Sequence, residues 1–183
     1  MKKLLYLILM LAIIISAASC DAKEESVSEN DESKIEVGSV TDIVKSIVAA
    51  NGLTEGKTYT SESDVPGEFL DKDMFEGYYG SMFDSPDFTL IDEYCVYIQD
   101  KNPLLQIELG IFKVADSNNK DMAKEFIQKR KNSILENAKN YPSVDTEPFS
   151  NVIIESVGNY TYYIAVKENR TSINQTMREK LGA

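Results

Sequence analysis

The side chains with the most obvious chemical potential in this 183-residue chain are carboxylates. Asp84, Asp87, Asp92, Glu93 and Glu108 fall in one stretch, and two carboxylates facing a groove could do acid/base work on a glycoside. The chain carries 30 acidic residues, so such pairs arise without any catalytic need and the pattern has no specificity. Histidine is absent. Its absence removes Ser-His-Asp and Cys-His catalysis and the commonest zinc ligand, so no catalytic residue, cofactor or metal site is expected.

Shorter motifs fare no better. Gly56-Lys57-Thr58 resembles the tail of a phosphate-binding loop, but Gly52 stands one place too near and no strand and helix frame the run. Ser117-Asn118-Asn119-Lys120 matches Ser-x-x-Lys, yet its companion elements are missing and it sits where a helix should start. Asp71-Lys72-Asp73 followed by Gly77 hints at a calcium loop, but Phe75 occupies a ligand position and no Glu closes it; a short capped helix explains it better. The basic cluster Lys124, Lys129, Arg130 and Lys131 reads as the solvated face of a helix. Arg130 alone falls in line with Phe126 and Ile134 at four-residue steps and should lean over the core edge.

The two cysteines lie far apart and do not suggest a disulfide framework. Cys95, inside a β-patterned run, reads as a small buried hydrophobe. Cys20 stands elsewhere, at the end of a leader. Met1-Lys2-Lys3 is a positive n-region, Leu4 to Ile15 is apolar, and Ser16-Ala17-Ala18-Ser19 supplies small residues before the cysteine, which is the layout of a secretory signal peptide over 1–19. The apolar run is shorter than the roughly 20 residues a helix needs to cross a bilayer. Ala17-Ala18-Ser19-Cys20 further resembles a lipobox, so Cys20 is expected to carry fatty acyl chains such as palmitate and to hold the protein on the extracytoplasmic face of the membrane. Lipoboxes prefer Leu where Ala17 stands, and ordinary signal peptidase would also accept Ser16-Ala17-Ala18. A soluble secreted protein is therefore the alternative.

Formal net charge is −11; loss of Lys2 and Lys3 with the leader would leave 17 basic against 30 acidic residues, or −13. Such a surface repels phosphate, so no nucleic-acid partner is expected. Residues 20–37 are acidic and polar and read as a flexible tether.

Residues 38–183 form one α+β domain in this reading. Val40, Ile43, Val44, Ile47 and Val48 recur at helical spacing, with Ser39 or Thr41 to cap and Asn51-Gly52 to stop. Periodicity weakens from Leu53 to Pro86, where a short helix from about Asp71 to Gly77 fits. Phe88 to Gln99 and Leu104 to Ala115 alternate as strands. Asp116-Ser117-Asn118 caps a long helix with Met122, Phe126, Ile127, Ile134, Leu135 and Ala138 inward, ending at Tyr141 before Pro142. Asn151 to Val157 and Tyr160 to Lys167 form a hairpin across Gly158-Asn159, and Thr171 to Leu181 is a last helix. The expected architecture is α-α-β-β-α-β-β-α, a four-stranded mostly antiparallel sheet with helices packed on one face.

Two pairs of side chains stand out against this frame. Glu108 on a central strand and Arg130 on the packed helix are expected to form a partly buried ion pair that orients helix on sheet. Tyr78 and Tyr79, flanked by Gly77 and Gly80, are candidate partner contacts, since Tyr offers large area and a hydroxyl at wet interfaces. The competing view has Phe75, Tyr79 and Phe83 covering one end of the sheet.

Phe75-Glu76-Gly77-Tyr78-Tyr79-Gly80, Ile91-Asp92-Glu93-Tyr94 and Ile107 to Lys113, then Lys129-Arg130, Tyr141-Pro142 and Gly158-Asn159-Tyr160, carry a resemblance over about 71–167. The chain resembles domain of unknown function 4358, a family of clostridial-type bacterial lipoproteins. The resemblance implies an envelope address and brings no activity, substrate or catalytic residue. The expected function is a non-enzymatic binding or interaction module of the cell envelope, touching the membrane through its lipid and an envelope protein or cell-wall component through its domain. A carboxylate-based hydrolase acting on cell-wall glycan is the alternative.

Overall fold

Ser39 starts the first helix, α1 (Val40–Ala50), by accepting a 3.1 Å hydrogen bond from the Thr41 amide. In this computed structural model residues 37–80 and 87–183 are described; the expected leader, Cys20, the tether up to residue 36, Phe83 and Asp84 lie outside them. Val40, Ile43, Val44 and Ile47 form the buried face of α1. The helix stops at Asn51-Gly52, where Gly52 takes a φ of 64°.

The remaining elements are β1 (Gly56–Thr60), α2 (Lys72–Tyr79), β2 (Ile91–Gln99), β3 (Glu108–Val114), α3 (Lys120–Ala138), α4 (Glu147–Ser150), β4 (Ile153–Val157), β5 (Tyr160–Ala165) and α5 (Arg170–Lys180). Here the caps come from acidic side chains. Asp71 accepts from the Met74 amide at the head of α2, and Asp116 accepts from the Asn118 amide in the 3₁₀ turn that leads into α3. Helix α3 ends at Ala138, three residues short of the expected end, because Lys139, Asn140 and Tyr141 tighten into three-residue turns.

All strand pairs are antiparallel, in the order β1-β2-β3-β5-β4. The sheet therefore has five strands and not the expected four. The addition is β1, which contains the Gly56-Lys57-Thr58 run, and its glycine and lysine hide it from a search for alternating apolar residues.

The helices also do not share one face. Cys95, Tyr97, Leu109, Ile111, Tyr162 and Ile164 pack with α1 and with Ile173 and Met177 of α5. Tyr94, Val96, Ile98, Phe112 and Tyr163 pack with Phe75 and Tyr79 of α2 and with Ala123, Phe126 and Ile127 of α3. This two-sided cover explains the unbroken buried run Tyr94 to Ile98, because a strand covered on both faces needs no polar alternation.

Gly110 lies where the cover closes in. A Cβ there would stand 2.2 Å from Val96 Cγ1 and 3.0 Å from Tyr163 Cε1. Gly110→Ala should therefore lose roughly 1–3 kcal/mol of stability through overpacking. Gly38→Ala, which would meet nothing within 4 Å, should stay within about 0.5 kcal/mol. Urea denaturation of the two variants checks this; equal midpoints would mean that β3 has room to spare.

Candidate functional site

Glu108 begins β3 between Ile98 of β2 and Ala165 of β5 and is only 1% exposed. A carboxylate in such a place is costly unless each oxygen finds a donor. Arg130 supplies them. From the inner side of α3 its Nε lies 3.1 Å from Oε1 and 3.2 Å from Oε2, and Nη2 also donates to Oε1. The Tyr163 hydroxyl donates to Oε2 at 3.3 Å and is 2.9 Å from the Tyr79 hydroxyl. The guanidinium carbon lies 4.8 Å from the centre of the Tyr78 ring, a cation–π contact.

The four residues singled out in the sequence thus meet in one cluster, joined by Tyr163. The two tyrosines have different settings: Tyr79 is fully buried and Tyr78 half-buried. Phe75 and Tyr79 are one helical turn apart and point together into the aromatic core around Phe112. Burial, followed by the charge of Glu108, holds the Tyr79 phenol far above its ordinary range. Burial, then Tyr79 and Glu108, do the same to Tyr163. Burial opposes the Arg130 charge, and Glu108 more than offsets it, so the guanidinium is held above its usual value. At neutral pH the phenols keep their protons and the guanidinium its charge.

The other carboxylates are held apart. Asp87 caps the turn Phe88–Leu90 through the Thr89 amide. Asp92 and Glu93 lie 3.4 and 3.3 Å from Lys113 Nζ, and Glu93 also accepts from the Val40 amide at the head of α1. Glu93 pairs across the ladder with Lys113, whereas Glu108 pairs with Ile98 at the far end. Their contacts also place them on opposite faces, one toward α1 and the other toward α3. Among the described residues no group of three or more His, Cys, Asp or Glu is placed to hold a metal ion.

The motif residues have structural settings too. Lys57 of β1 pairs with Asp100 at 3.7 Å, and Ser117–Asn119 form the capped turn before α3. Cys95 is buried beneath α1, and burial above all pushes its thiol up to about 12. Sequence reasoning missed Tyr163 and also Glu155, which accepts from Asn174 and Arg178 of α5 at 3.2 and 2.9 Å. Only the register between β3, β4 and β5 brings these partners together.

Arg130→Met should cost about 3 kcal/mol, because it leaves a buried carboxylate without its cation. A double-mutant cycle with Glu108→Gln should show coupling of about 2 kcal/mol or more by chemical denaturation; additive losses would rule out a joint role.

The tyrosines should separate in the same assay. Tyr79→Ala is expected to lose about 3–5 kcal/mol, as for other buried aromatics, and Tyr78→Ala about 1 kcal/mol, the scale of a partly exposed cation–π contact. Equal losses would contradict the different settings of the two rings.

No curated protein and no solved structure matches the chain. The sequence profile of the family described as Domain of unknown function (DUF4358) matches residues 70–166, just over half of the chain. That span holds α2, β2, β3, α3, α4, β4 and β5, and with them Glu108, Arg130, Tyr78, Tyr79 and Tyr163; α1, β1 and α5 lie outside it. The chain belongs to the DUF4358 family.

Proposed function

We propose that this chain is a lipid-anchored binding module on the extracytoplasmic face of the cell membrane, with Cys20 as the anchor and the Tyr78–Arg130 surface as its contact with an envelope protein or cell-wall component. The observation that carries the binding role is the engagement of the carboxylates. Asp87, Asp92, Glu93 and Glu108 each hold a cap, a lysine or an arginine, and Glu93 and Glu108 face opposite sides of the sheet. This arrangement speaks against glycan hydrolysis by that pair, which would need both carboxylates across one groove. Tyr78, stacked on a fixed guanidinium and half-buried, offers a rigid aromatic surface suited to contact.

The anchor rests on the leader, whose short apolar run and small residues end at Cys20. Two acyl chains hold a protein to a bilayer far more firmly than one. Cys20→Ala should therefore shift the protein from the membrane fraction to the precursor or soluble pool. Intact mass spectrometry of the wild-type chain should find a mature N-terminus at Cys20 carrying lipid, and a mature chain that begins after Cys20 or bears no lipid would refute the anchor.

A further inference from the structure

We propose that β4 seats a second copy of this chain, two β4 strands pairing antiparallel so that two sheets become one. The register determines which backbone groups of β4 are open. Val157 and Tyr160 flank the two-residue turn, and the Val114 amide donates to the Asn159 carbonyl at 2.9 Å, turning that carbonyl toward β3. By the two-residue repeat, Tyr160, Tyr162 and Ile164 turn their backbone groups to β4 and bond Val157, Glu155 and Ile153. Ile154 and Ser156 thus point N–H and C=O groups outward, where no described residue meets them.

The two sheet edges differ. The β1 edge carries Lys57, and the segment after it folds back so that the Thr60 amide donates to the Glu68 carbonyl at 2.8 Å. Strand β4 carries no lysine, no proline and no bulge. Its one charge, Glu155, is held within the molecule by Arg178 at 2.9 Å.

Charge leaves this edge open to a second copy. With a net charge of −11, copies of this chain repel across most of their surfaces, but not where the only charge is already neutralised. Antiparallel pairing centred on Ile154 is also self-complementary. Ile154 meets Ile154 of the copy, Ser156 meets Val152, and Glu155 stands opposite Ile153 rather than a like charge.

Amide hydrogen exchange of the purified full-length chain, in an excess of detergent micelles, tests this over a dilution series. The Ile154 and Ser156 amides should exchange slowly at high concentration and at least tenfold faster on dilution, while the Tyr162 amide stays unchanged. Ser156→Pro removes an outward N–H and the 2.8 Å contact of the Ser156 hydroxyl with the Thr161 hydroxyl, but no backbone bond between β4 and β5, so it should make Ile154 exchange fast at every concentration while Tyr162 keeps its protection. If Ser156→Pro does not fold, the wild-type series decides alone. Fast exchange of Ile154 and Ser156 at all concentrations, protection that survives dilution, or concentration-dependent protection retained in a folded Ser156→Pro chain would each overturn the proposal.

Discussion

A carboxylate with almost no access to water sits at the start of a central strand, and the α2 and α3 side of the fold is built to satisfy it. Glu108 receives two nitrogens of Arg130 and the hydroxyl of Tyr163, and Tyr163 in turn meets Tyr79 of α2. One charged group thereby links a strand to two helices. Such a pair need not be more stable than a well-packed apolar substitute, but once half of it is present the other half is required. That requirement gives α3 a fixed position over the sheet and sets the Arg130 guanidinium over the Tyr78 ring.

The same device recurs in weaker form on other strands. Glu93 of β2 accepts from the head of α1, and Glu155 of β4 accepts from Asn174 and Arg178 of α5. Three sheet carboxylates each bond directly to one helix, Glu108 reaching a second only through Tyr163. Only Glu108 is deeply buried, so only its pair carries a large penalty when broken; the partly exposed ones are screened and contribute less than about 1 kcal/mol each. Glu93 and Glu108, two of the acidic residues that suggest hydrolytic chemistry in a linear reading, are in three dimensions attachment points for α1 and α3.

Much of this order is legible in the residues because it is local. The 3–4 spacing of Val40, Ile43, Val44 and Ile47, the cap at Asp71 and the Gly158-Asn159 turn all depend on neighbours within one or two turns of chain. Strand β1 escapes because it is five residues long and contains glycine and lysine, and α4 because it is only four residues long. The layering of helices is legible in Tyr94-Cys95-Val96-Tyr97-Ile98, whose lack of polar alternation implies cover on both faces and not on the one expected. Of the site, Glu108 and Arg130 could be paired from the periodicity of their elements. Tyr163 could not, since its approach depends on β5 lying beside β3 rather than beside its sequence neighbour alone. Spacing from Phe75 does not separate Tyr79 from Tyr78, since positions three and four residues on both lie about one helical turn away.

The most direct test of the central cluster is the nitrogen NMR signal of the Arg130 side chain. A guanidinium held by Glu108 and stacked on Tyr78 has restricted rotation and shielded protons, so its Nε–H should give a distinct resonance that exchanges slowly with water and collapses in Glu108→Gln. A fast-exchanging signal at the position of a free arginine, unchanged by that substitution, would contradict a fold organised around this pair.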